Sequence, residues 1–137
     1  MKISIITVCY NSAEFIRTAI ESVLSQSYAD IEYIVIDGGS SDDTVSIISE
    51  YENSIAYFIS EDDQGIYDAM NKGIALATGE VIGILNSDDF YFNNDVISDV
   101  VDCFDMNSDV DMIFGNVEFV NSTDLTVPLR LCSSYNF

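Results

Sequence analysis

Histidine is absent from this chain, and its three cysteines, Cys9, Cys103 and Cys132, are scattered without a Cys-x-x-Cys spacing. Those shortages exclude a disulfide framework, a structural zinc site and any Ser-His or Cys-His nucleophilic pairing. Basic residues are scarce as well: four Lys and Arg face 24 Asp and Glu, for a net charge of −20. Such a field repels nucleic acid and an anionic membrane surface, so nucleic acid is not expected as a partner. It would also repel a phosphorylated small molecule unless a cation or a basic segment offsets it. No apolar run approaches the roughly 20 residues that span a bilayer, and the N-terminus reads as a strand rather than a signal peptide. A cytoplasmic chain is the expectation. The glycine pattern of a dinucleotide fold is missing too, because the turn after the first strand is Thr7-Val8-Cys9-Tyr10-Asn11. No P-loop occurs, and neither Asp37 to Asp42 nor Asp62 to Asp68 has the alternating ligands and sixth-position glycine of an EF-hand.

What is present suits one buried core: 137 residues, 48% hydrophobic, expected to form a single domain over 1–137. Ile3 to Val8 is β-rich and apolar on both faces, as a central parallel strand should be. Helical spacing follows over about Ser12 to Gln26, then strand Glu32 to Asp37, a helix through Val45, Ile48 and Tyr51, and strand Ile55 to Ser60. Ile66 to Ala77 reads as a small-residue helix stopped by Thr78-Gly79, and Glu80 to Leu85 as a buried strand. A helix carrying Val96, Ile97, Val100, Val101 and Phe104 comes next, then short strands at Asp111 to Gly115 and Val117 to Asn121, and a weaker tail through Pro128. Alternating β and α with short connections predicts an α/β fold, a Rossmann-like, doubly wound, mostly parallel sheet with flanking helices.

The predicted strand ends share one character. Asp37 ends the second strand, Asp62 and Asp63 follow the third, and Asp88-Asp89 follow the fourth, at the edge where open α/β sheets bind ligands. Two ionised carboxylates about 4 Å apart repel by roughly 4 kcal/mol at an effective dielectric near 20. The Asp88-Asp89 pair is therefore comfortable only if it is solvated, as in a turn that caps the next helix, protonated, or bridged by a divalent cation. Asp62 and Asp63 stand between a polar turn and a ligand set, with Asp62 the better candidate because it follows the strand directly. Cys9 reads as a small buried hydrophobe, and Tyr91-Phe92 as cover for the core or a stacking surface for a sugar.

Four stretches carry a resemblance: Ser4 to Asn11, Ser22 to Tyr28, Ile34 to Asp42, and Gly79-Glu80 running to Asn86-Ser87-Asp88-Asp89. In that order, over about the first ninety residues, the chain resembles the family 2 inverting glycosyltransferases, whose fold is called GT-A. Gly65-Ile66-Tyr67-Asp68-Ala69-Met70-Asn71-Lys72-Gly73-Ile74 looks most like the bacterial branch that builds O-antigen and capsular polysaccharide. The resemblance implies a UDP- or GDP-sugar donor, a glycan or polyprenol-linked acceptor at the inner face of the membrane, and Mn²⁺ or Mg²⁺. It implies that Thr7, Val8 and Tyr10 line the base pocket, Asp37 hydrogen-bonds the base, Asp88 faces the ribose or sugar, and Asp89 ligates the metal. Lys72 would substitute for an arginine that many members carry where this chain has Met70. The family's general base lies well beyond the metal motif, so it is expected beyond Phe137; Asp109, Asp111 and Glu118 come too early to match it. The chain thus looks like the donor-binding, C-terminally truncated part of a longer enzyme, with any peripheral membrane association carried by the missing part. The alternative is a non-catalytic module that binds a nucleotide sugar and a divalent cation.

Overall fold

A computed structural model of the chain describes residues 1–133, and the expectation attached to Ser134 to Phe137 lies outside them. Two compact units are present, Met1–Asp102 and a second beginning at Cys103. The first holds four parallel strands, β1 (Ile3–Cys9), β2 (Ile31–Asp37), β3 (Tyr57–Ser60) and β4 (Val81–Asn86), in the order β3-β2-β1-β4. Helices α1 (Ile16–Leu24) and α2 (Thr44–Ser49) connect the first three strands, and α3 (Ile66–Leu76) crosses from β3 back over β1 to β4. The direction of travel reverses at that crossover. A right-handed connection must then place its helix on the opposite face, which makes the sheet doubly wound with its switch point between β1 and β4.

Strand β1 is buried along its whole length, and its alternate residues enter different cores. Ile3, Ile5 and Cys9 join Tyr33 and Val35 of β2 against Ile16, Ile20 and Val23 of α1 and Ile48 of α2. The same layer takes in Ile97 and Val101 of helix α4 (Val96–Met106). Ile6 and Val8 join Ile34 and Ile36 on the other face, where Ala69 of α3 packs. Helix α3 approaches closely at Gly73, where an added Cβ would stand 2.5 Å from Ile6 Cγ2.

At the amino edge of the sheet, away from the predicted site, the buried Glu32 ties three segments together. Its carboxylate accepts from Lys2 Nζ (2.6 Å), Ser4 Oγ (2.6 Å), and the amide and hydroxyl of Thr78 (both 2.7 Å). Burial disfavours its charge, but the Lys2, Ser4 and Thr78 donors outweigh that and hold its pKa down to about 2.

The second unit contains an antiparallel hairpin of β5 (Val117–Asn121) and β6 (Asp124–Cys132). Two expectations change here. Asp111 to Gly115 forms no strand, because its alternating Met112 and Phe114 have no partner strand to pair with among the described residues. The stretch through Pro128, read as weak, is instead a nine-residue strand, and the proline is tolerated because the ladder shifts register beside it, opposite Val120. Among the described residues no helix is long and apolar enough to cross a membrane.

Candidate functional site

The carboxyl ends of the four parallel strands frame two open clefts that share one wall. The first, about 390 Å³, lies between Tyr10, the Gly38-Gly39 turn after β2, and Asp62 and Asp63 after β3. The second, about 450 Å³, occupies the switch point between the Val8 to Ser12 segment after β1 and Asn86, Ser87 and Asp88 at the end of β4. Tyr10, 64% exposed, belongs to both. Both volumes suit a small organic ligand.

Local chemistry holds the rims in place. Asn11 adopts the left-handed conformation (φ 48°), the only non-glycine residue to do so among those described, and asparagine tolerates it well. Its amide N–H donates to Ser40 Oγ (2.7 Å), while its side-chain oxygen accepts from Ser41 N (2.9 Å). Asp42 accepts from Ala13 N (3.1 Å) and from the backbone of Thr44 (3.0 Å), joining the same two loops again. Beneath them the wholly buried carboxylate of Asp37 accepts from Gly39 N (3.2 Å), Ser40 N (2.9 Å), Ser40 Oγ and Ser60 Oγ (2.7 Å), with the Cys9 thiol at 3.6 Å. Asp37 thus gathers the ends of β1, β2 and β3 at one point. Burial first, and then the Asp37 charge, push the Cys9 thiol far above its ordinary pKa, so it is no nucleophile.

Across the switch point, Ser12 Oγ and Ser87 Oγ lie 2.8 Å apart and join the loops after β1 and β4. Asp88 and Asp89 follow, both exposed, and neither makes an ion pair among the described residues. Asp89 accepts only from Asn86 Nδ2 (3.3 Å), and its pKa is raised, by partial desolvation and then by the charge of Asp88. Asn86 Oδ1, beside them, is buried without a partner. The Asp88 and Asp89 carboxylates, exposed and without a counter-cation, are hard oxygen donors that fit Mg²⁺ or Mn²⁺; Asn86 turns its amide nitrogen, not the buried oxygen, toward Asp89. No group of three or more acidic, Cys or His side chains converges to enclose an ion among the described residues, so phosphate oxygens of a ligand would have to complete the shell.

The predicted residues divide in two. Tyr10, Val8, Asp62 and Asp88 line the clefts, and Asp89 adjoins the second. Thr7 lines neither, for its buried side chain accepts from Tyr33 OH (3.0 Å) on the α1 side. The Asp37 carboxylate is turned beneath the loops, and the Lys72 ammonium is taken up by Glu61 (2.9 Å), Asp68 (3.4 Å) and the carbonyl of Asp62 (3.3 Å). Asn11, Asn86 and Ser87 fall within the stretches that carry the resemblance but were given no role of their own, and Ser12 lies just past the first of them. Only Asn11 carried a usable signal, an asparagine in a tight strand-to-helix turn.

Comparison with known proteins agrees with the fold. The chain is 40% identical over 114 residues to an uncharacterized glycosyltransferase of Mycobacterium tuberculosis, covering 82% of this chain but 44% of that relative. It superposes on Staphylococcus aureus TarS solved with UDP-GlcNAc (TM-score 0.71, 26% identity), over 79% of this chain and 32% of that one. It also matches the fold of a Pyrobaculum calidifontis mannosyltransferase solved with GDP-Man and Mn²⁺ (TM-score 0.70, 23% identity), over 91% of this chain and 37% of the other. The chain therefore spans less than half the length of these relatives, and its fold is of the GT-A type. Residues 4–133 match Glycosyl transferase family 2, and the chain belongs to that family.

Proposed function

We propose that residues 1–133 form the donor-binding part of a glycosyltransferase that moves a sugar from a nucleoside diphosphate to a saccharide or polyprenol-linked acceptor, with inversion. One observation carries this reading: an acidic pair with no compensating cation sits at the switch point of the sheet, beside a cleft sized for a nucleotide. The UDP-GlcNAc seen in TarS supports the ligand class. In this reading the base enters the first cleft against the Tyr10 ring, while the diphosphate crosses to the second. Asp88 faces the ribose or sugar. Asp89, with Asn86 beside it, would hold Mn²⁺ or Mg²⁺, which supplies Lewis-acid stabilisation of the departing diphosphate.

The chain's own residues supply placement. The Asn11 and Asp37 hydrogen bonds tie the loops after β1 and β2 and the end of β3 together before a ligand arrives, so little ordering is left for binding. The bond from the anomeric carbon to the diphosphate oxygen breaks as the acceptor oxygen bonds to the opposite face. The acceptor proton goes to a carboxylate that this reading assigns to chain beyond Phe137, in the length that the relatives have in addition. Assembly of bacterial surface polysaccharide at the cytoplasmic face of the membrane is the corresponding role. The test is a panel of UDP- and GDP-sugars with Mn²⁺ and the full-length enzyme, scored for release of nucleoside diphosphate. Metal-dependent release supports the reading; binding without release with every acceptor class would leave a non-catalytic module instead.

A further inference from the structure

The Asp37 carboxylate, fully buried and already accepting from the Gly39 and Ser40 amides and two serine hydroxyls, has no face left for a nucleobase. The first cleft nevertheless contains a carboxylate that is both fixed and open. Asp63 Oδ1 accepts from Gly65 N at 2.8 Å, which sets the plane of the group. Its Oδ2 lies over Gly38, 2.6 Å from where a Cβ on that residue would stand, a placement only glycine at 38 allows, and it accepts no hydrogen bond among the described residues. Opposite, Tyr10 presents an exposed aromatic ring in the same cleft. Asp62 is poorer in both respects: it is more exposed, and its carboxylate accepts no hydrogen bond among the described residues.

We infer that Asp63 is the residue that selects the donor nucleobase, by accepting a hydrogen bond from a ring N–H at Oδ2 while the base lies against Tyr10. This rests on the nucleotide-sugar reading above and narrows it. Uracil at N3 and guanine at N1 carry such a hydrogen, whereas cytosine at N3 and adenine at N1 present a lone pair there and can offer the carboxylate only an exocyclic amino group. A site built around one buried polar contact rejects a ligand that leaves it unpaired. Asp37 is then a positioning residue, acting through the Gly38-Gly39 turn against which Asp63 rests.

Asp63→Asn isolates the contact. Its Oδ1 still accepts from Gly65 N, so the turn is kept, while the ligand-facing atom changes from acceptor to donor. Binding of UDP, GDP, CDP and ADP, each with Mn²⁺, is measured by titration calorimetry on wild type, Asp63→Asn and Asp62→Asn. Wild type should prefer UDP or GDP over CDP and ADP by about tenfold or more; Asp63→Asn should lose most of that preference, chiefly by weakening the favoured diphosphate, and Asp62→Asn should keep it. An unchanged preference in Asp63→Asn, or its loss in Asp62→Asn instead, overturns the assignment and leaves the nucleotide-sugar reading standing. Failure of every diphosphate to bind the wild type with Mn²⁺ overturns both.

Discussion

A carboxylate can hold a protein together or hold a ligand, and three acidic residues of this chain show how surroundings decide between the two. Glu32, saturated by Lys2, Ser4 and Thr78, is structural. Its pKa is depressed from 4.5 to about 2, so its contribution to stability is fully present above about pH 4.5 and is lost as pH falls toward 2. Glu32→Gln should therefore flatten the fall in urea stability across that window, and Glu32→Ala should cost about 1–3 kcal/mol at neutral pH by leaving the Ser4 and Thr78 donors without their acceptor. An acid limb as steep in Glu32→Gln as in wild type would remove Glu32 from that role. Asp89 is the opposite case, with pKa raised above 3.8 by desolvation and by Asp88. Protons compete with a cation for its charged form, so Mn²⁺ affinity, followed by electron paramagnetic resonance, should begin to fall at a higher pH than an ordinary aspartate would give. Affinity flat down to pH 4 would contradict this. Asp37 could be placed at its strand end from sequence, but the direction of its side chain could not. That direction depends on serines at 40 and 60 that meet only when β2 and β3 pair.

Among the elements, strands buried on both faces were the most legible, because an apolar run such as Ile3 to Val8 fits no exposed structure. The type and order of β1 to β4 and α1 to α4 follow from apolar runs and from helical spacing, but only β1 and β2 are buried on both faces; β4, expected as a buried strand, is the edge of the sheet and leaves Ile82 and Ile84 exposed. Asp111 to Gly115 shows where pattern stops being enough, since alternation makes a strand only beside a partner edge. Pro128 erred the other way: a proline argues against a central strand, but the hairpin accommodates it at a register shift. Helix α3 shows how a small residue sets an interface. Gly73 lets it lie directly on Ile6 of β1, and Gly73→Ala should cost about 1–3 kcal/mol despite alanine's better helix propensity, as overpacking against a rigid buried isoleucine. Chemical denaturation reads this directly, and an unchanged or raised midpoint would mean that α3 shifts without cost.

For the whole molecule, the charge of −20 poses the question that the site answers. A polyanion should repel a nucleoside diphosphate, yet the acidic residues gather at the sheet edge where ligands of such folds bind. In the proposed reading a divalent cation at Asp89 would convert that edge from a barrier into a seat, by cancelling charge locally and attracting phosphate oxygens. The composition signalled this conflict, and the strand-end aspartates located it. The two-cleft geometry and the Tyr10 wall between them came only with the packing of the loops after β1, β2, β3 and β4. The most direct test of the cation's role is titration of UDP into wild type and Asp89→Ala, each in saturating Mn²⁺ and in EDTA, with circular dichroism to confirm that the variant is folded. The account predicts binding only for wild type in Mn²⁺; equal affinity in EDTA, or in folded Asp89→Ala, would contradict it.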